Sequence, residues 1–110
     1  MRTRNSRIRF TAVALVMGVS VTTSCWAQER TGQEVYESFC KLCHQSGLAG
    51  APVKGDQEWV QRVTNKGMDA LLASVVEGLN AMPPQGGCSD CTQSEFINAI
   101  QYMLPKNMPM

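Results

Sequence analysis

No apolar run in this 110-residue chain approaches the ~20 residues that a membrane-spanning helix needs. No segment alternates like a strand, none repeats, and the low-complexity sequence is confined to the closing "PKNMPM". These absences exclude a spanning helix, a sandwich or barrel, and a repeat array. Histidine occurs once, as His44, and aromatic residues make up only 6% of the chain. What remains points to a small all-α domain built from short helices and irregular loops.

The basic residues are unevenly placed. Arg2, Arg4, Arg7 and Arg9 open the chain with no acid nearby, an apolar run from Phe10 to about Val21 follows, and then the polar "TTSCWAQER". That order is the signature of a secretory signal peptide over residues 1–27, with cleavage after Ala27 and Cys25 as the small residue at minus three. An uncleaved amphipathic arm is the alternative. A lipidated Cys25 fits less well, because "TTSC" lacks a large aliphatic residue three positions before the cysteine. Cleavage removes four bases and no acids, so the formal charge changes from +1 to −3. The mature chain, residues 28–110, is not a basic nucleic-acid binder, and it has no segment for stable membrane insertion. Its expected compartment is the periplasm, where free thiols do not usually persist. About 83 residues make one domain that buries little apolar surface and calls for a staple or a bound cofactor.

Three helices are predicted, with a shorter fourth. Thr31 and Glu34 form a capping box, followed by Val35, Tyr36, Phe39, Leu42 and Cys43 at helical spacing. A loop over residues 46–56 ends at Asp56, a candidate cap for a short helix carrying Trp59 and Val60. Met68, Leu71, Leu72, Val75, Val76 and Leu79 form one continuous helical face, which "NAMPPQGG" must end. A second capping box, Thr92 to Glu95, opens a last helix that buries Phe96, Ile97, Ile100, Met103 and Leu104 and stops at Pro105.

Four cysteines survive cleavage, in two Cys-x-x-Cys pairs. "CKLCH", residues 40–44, is Cys-x-x-Cys-His, the pattern of c-type haem attachment. Cys40 and Cys43 share one side of a helical turn, so both sulfurs reach the two vinyl groups of one haem. His44 then lies beneath the ring, aimed at the iron. A plain redox or structural Cys-x-x-Cys is the alternative, but it leaves the adjacent His44 unexplained. A zinc site made from both pairs would also leave His44 idle. It would need about 15–20 residues between the pairs, whereas 44 lie between Cys43 and Cys88. Among the methionines, Met68 and Met103 lie on helical faces and Met108 and Met110 in the tail. Met82 stands in a loop stiffened by Pro83 and Pro84, which suits either a thioether ligand or a gap filler.

"CKLCH", "GAPVKGD", "GLNAMPPQGGCSDC" and "AIQYML" together resemble the small bacterial class I c-type cytochromes, most closely the cytochrome c5 group. The resemblance spans Gly32 to Leu104. It implies the cytochrome c fold, three to four short helices wrapped around one covalently bound haem c, with Cys40 and Cys43 as thioether anchors. It implies His44 and Met82 as axial ligands, and a hydrogen bond from His44 to the Pro52 carbonyl. Gly32 and Tyr36 are expected to pack against the last helix near Tyr102. Trp59 matches the aromatic near a haem propionate, or else simple core packing. Cys88 and Cys91 are expected to form a disulfide that stiffens the turn after the Met82 loop, although the spacing leaves a redox role open.

With both axial positions filled, the expected function is single-electron transfer between respiratory redox proteins, not enzymatic catalysis. A quinol-oxidising complex is an expected donor and a terminal oxidase or reductase an expected acceptor, each docking transiently at the haem edge. Two alternatives stay open: a haem enzyme or sensor with an open sixth position, and a thiol–disulfide protein working through Cys88 and Cys91.

Overall fold

The structure, a computed structural model, describes residues 18–21, 24 and 26–108. Most of the expected leader, Cys25 included, and Met110 lie outside the described residues. From Thr31 onward the chain is helical, as the spacing predicts, and no extended strand forms among the described residues.

Thr31 caps α1 (Gly32–Val35) through the expected reciprocal box. Its hydroxyl accepts the Glu34 N–H at 3.2 Å, and the Glu34 carboxylate accepts the Thr31 N–H at 2.7 Å. The helix then widens into a π turn, Tyr36–Cys40, and tightens again as α2 (Lys41–His44). One extra residue in a turn rotates the face presented downstream by roughly 100°. Val35 and Tyr36 are therefore buried while Phe39 and Leu42 are not, and Leu42 is 79% exposed. The apolar spacing predicted one buried face here. The π turn divides it into a core-facing part and a part that lines a cavity.

After a 3₁₀ turn at Leu48–Gly50 come α3 (Glu58–Lys66) and α4 (Met68–Glu77). The Asp56 side chain does not cap α3. Its backbone carbonyl accepts the Trp59 N–H at 3.2 Å, Gln57 occupies the cap position, and the helix is longer than expected. In α4 only Leu71 is fully buried, and Gly78 stops the helix before Leu79, which is 42% exposed. A 3₁₀ turn (Pro84–Gly87) leads to α5 (Gln93–Met103), opened by the second capping box. Phe96, Ile100 and Met103 are buried as predicted, while Ile97 and Leu104 are half-buried.

The core is formed by Tyr36, Trp59, Leu71, Ile100 and Met103. α1 crosses α5 closely because Gly32 has no side chain; a β-carbon there would collide with the Asn98 carbonyl. Beside this crossing, the Tyr36 and Tyr102 rings pack with centroids 5.3 Å apart. The start of α5 is tied to the segment before α1 by Arg30, whose Nε lies 2.9 Å from Oε1 of the buried Glu95. Glu95 also accepts the N–H groups of Thr92 and Arg30.

The Arg30 side chain, followed by the Thr92 and Arg30 N–H groups, pulls the Glu95 carboxyl down from 4.5 to about 2. A depressed carboxyl stabilises the fold fully above its ordinary value and loses that contribution as pH falls through the folded one. The stability gap between wild type and Glu95→Gln should therefore be constant above about pH 5 and close between about pH 4.5 and 2. Urea midpoints measured across that range test this; a gap independent of pH would contradict it.

Candidate functional site

α2, the loop after it, α3, α4, the loop after α4 and α5 line a cavity of about 440 Å³. Its wall carries Cys40, Cys43 and His44 from one side of the sequence and Met82 from the other. The sequence motifs, 38 positions apart at His44 and Met82, are thus brought to one space. Much of the remaining lining is apolar. Leu42, Leu48 and Leu79 stand 79%, 53% and 42% exposed to it and to solvent. A polypeptide that leaves such side chains uncovered around a cavity has room for a large apolar body there.

His44 is 6% exposed, and its Nδ1 lies 2.8 Å from the Pro52 carbonyl oxygen. A carbonyl only accepts, so Nδ1 carries the proton and Nε2 keeps its lone pair for a metal. The His44 backbone is held as well, because its carbonyl accepts the Lys54 N–H at 2.8 Å. Lys54 lies within the "GAPVKGD" segment, but nothing in the sequence gave it a role. Its ammonium sits 4.4 Å from the Tyr102 ring centroid and 5.7 Å from that of Tyr36. The next N–H, from Gly55, donates to the Met103 carbonyl at 2.8 Å. The loop that orients His44 is thereby fastened to the α1–α5 crossing.

Met82 is held through its backbone. Leu79 and Met82 exchange N–H···O bonds of 3.1 and 2.9 Å, closing a tight turn. The turn folds back on Gly78 (φ +82°), where a β-carbon would lie 2.8 Å from the Met82 carbonyl oxygen and 2.9 Å from the Pro84 nitrogen. Ala49 and Asn80, two non-glycine residues with positive φ (53° and 52°), also line the cavity. Residues with such backbone angles cluster at active sites and ligand clamps.

The second cysteine pair stands apart from this wall. Cys88 and Cys91 are joined by a disulfide, with their Cα atoms 5.5 Å apart and Cys88 1% exposed. Cys40 and Cys43 form no disulfide with each other, and both line the cavity. The pairs do not meet as one metal site: the sole metal-type cluster among the described residues is Cys88, Asp90 and Cys91, without either cysteine of the first pair.

The family described as cytochrome c oxidase, cbb3-type, subunit III, matches residues 27–103. Cytochrome c5 of Azotobacter vinelandii is 46% identical over 76 residues, which are 67% of this chain and 92% of that protein. This chain belongs to the class I c-type cytochromes. A solved mono-haem ferrocytochrome c from Shewanella putrefaciens is 42% identical, with a TM-score of 0.63 over 70% of this chain and 95% of that one. A cytochrome c solved in an electron-transfer complex with nitrite reductase is 41% identical, with a TM-score of 0.61 over 69% and 94%. Such cytochromes carry electrons and are not enzymes, and their cofactor is one covalently attached haem c. The residues here fit that group: two thiols, an imidazole with a free Nε2 and a thioether line one largely apolar cavity.

Trp59 was expected to face a propionate or to pack in the core. It is 4% exposed, belongs to the core cluster, and its indole N–H donates to the Val53 carbonyl at 2.9 Å. Replacing Trp59 with Phe should cost about 1–3 kcal/mol of stability, because the Val53 carbonyl loses its partner. Haem attachment and the oxidised spectrum should persist. Denaturant titration with absorption spectra checks both. Trp59 also lines the cavity, its ring centroid 5.9 Å from that of His44. Loss of the low-spin spectrum at unchanged stability would show that it acts on the haem site and not through packing.

Proposed function

We propose that the chain is exported, loses residues 1–27, and serves in the periplasm as a soluble carrier of single electrons. When bound, the haem supplies the ferric/ferrous couple. Cys40 and Cys43 would hold it covalently, and His44 Nε2 and Met82 Sδ would bind its iron. The observation that carries this reading is the convergence of His44 and Met82 on one cavity, each immobilised by its own hydrogen bonds.

The immobilisation is functional. An electron carrier gains speed when its ligands need not move between oxidation states. Here the Pro52 and Lys54 bonds fix the imidazole, while the turn on Gly78 fixes the methionine. A methionine–histidine pair raises the potential relative to harder ligand sets. The Cys88–Cys91 bridge closes the turn between the Met82 segment and the capped start of α5. Burial of Cys88 favours that bracing role over a thiol–disulfide activity.

Partners meet the molecule at the cavity mouth, around the exposed Leu42, Leu48 and Leu79. The related cytochrome captured with nitrite reductase supports transient docking to redox enzymes as the working mode. A quinol-oxidising donor and a terminal oxidase or reductase as acceptor suit a carrier in that compartment.

Replacing Met82 with Ala tests the ligand set. The oxidised protein should lose its methionine-to-iron absorption and its low-spin spectrum, and its potential should fall. If spectrum and potential both survive the substitution, Met82 is not the ligand and the carrier mechanism fails.

A further inference from the structure

Lys54 is half-buried, yet its ammonium has no carboxylate partner among the described residues. Arg30, Lys41 and Arg62 are each paired with an acid, and Lys66 and Lys106 are exposed. Holding an ammonium partly out of water is costly unless another group replaces the lost solvent. Two ring faces do so here: the Lys54 nitrogen lies 4.4 Å from the Tyr102 centroid and 5.7 Å from that of Tyr36. Both distances fall inside the ~6 Å over which a ring attracts a cation. Tyr36 is buried and Tyr102 half-buried, and such attraction is stronger in a desolvated setting than at an exposed one.

The main chain of the same residue grips His44. Lys54 N–H donates to the His44 carbonyl at 2.8 Å, and two positions earlier the Pro52 carbonyl accepts from His44 Nδ1, also at 2.8 Å. Between them, the Val53 carbonyl accepts the Trp59 indole N–H at 2.9 Å, so this stretch of chain cannot turn freely. Lys54 thus has its backbone on the histidine and its side chain on the tyrosines beside the α1–α5 crossing.

We infer that Lys54 is a positioning residue for His44: its ammonium, seated on Tyr102 and Tyr36, holds residues 52–54 against the helix crossing and keeps the Pro52 carbonyl on His44 Nδ1. That role deepens the proposed function and requires His44 to bind the iron; it requires neither Met82 as a ligand nor export. A hydrogen bond given by Nδ1 makes the imidazole a more basic ligand, which favours the ferric state. Loosening that bond should therefore raise the potential. Removing a positive charge acts the other way, because it favours the ferric state on Coulombic grounds and lowers the potential. The direction of the change separates a positioning lysine from one that matters only by its charge.

The test compares holoprotein variants K54Q, K54R, Y102L and Y102F with K106Q, which removes the same formal charge from the exposed tail. Two quantities are read: the solvent exchange rate of the His44 Nδ1 proton, followed by proton NMR, and the midpoint potential. K54Q should speed that exchange roughly tenfold relative to the protected amides of α5 and raise the potential. Global destabilisation would instead speed all of these protons alike. Y102L, which leaves the charge untouched, should do the same as K54Q and decides the matter if K54Q does not fold. K54R and Y102F keep the cation and the ring, and both should match wild type. If K54Q lowers the potential as K106Q does, with Nδ1 exchange unchanged, Lys54 acts as a charge alone and the positioning role is overturned, whatever the loss of stability. A wild-type ferric protein whose Nδ1 proton shows no shift from the iron would overturn His44 ligation and this role with it. An iron-shifted proton that K54Q and Y102L leave unmoved would overturn this role alone.

Discussion

The hydrogen bond from His44 Nδ1 to the Pro52 carbonyl, 2.8 Å long, ties local sequence to iron chemistry. It determines which imidazole nitrogen carries the proton, and so which one is left for a metal. The Pro52 carbonyl points correctly because its loop is held on both sides of the proline. Lys54 N–H donates to the His44 carbonyl, Gly55 N–H donates to the Met103 carbonyl, and the Lys54 ammonium rests against the two packed tyrosines. Those tyrosines meet because Gly32 lets α1 approach the α5 backbone. A glycine about a dozen positions before the histidine thus contributes to the imidazole's orientation through a helix crossing, a cation and a loop.

The elements that could be read from sequence are those whose cause is local. Both capping boxes, the stop before "NAMPPQGG" and the burial of Ile100 and Met103 follow from spacing and turn chemistry within a few residues. The Cys-x-x-Cys-His motif and the Met82 loop are also local signals. What sequence did not disclose depends on distant partners. The π turn at Tyr36–Cys40 arises where one face must meet α5 and the next must meet a cavity, and no propensity marks it. Phe39 and Leu42 were counted with the helix's buried face, yet they line that cavity and stay exposed. Asp56 had the composition of a cap, but the chain entered α3 one residue later, and the Asp56 carbonyl made the contact instead. The contact Lys54 makes had no signature, because a cation over aromatic rings has no fixed spacing.

A domain this small has few ways to make a stable interior, and the arrangement shows how the cofactor resolves that problem. The core cluster is modest, and large apolar side chains are left around the cavity. A tethered apolar cofactor completes the interior while remaining near the surface. The same wall that would pack the ring also carries the groups proposed to set its chemistry: an oriented imidazole and a thioether on a rigid turn. Stability and redox behaviour are therefore coupled, and substitutions that loosen the α1–α5 crossing should be felt at the iron.

The central claim is that this chain closes both axial positions and leaves the iron only an electron to exchange. Carbon monoxide added to the reduced exported protein tests that most directly, since it binds ferrous haem wherever the sixth position is open. The account predicts an unchanged ferrous spectrum from a protein whose intact mass shows one covalent haem. Prompt conversion to a carbon monoxide adduct at neutral pH would contradict it.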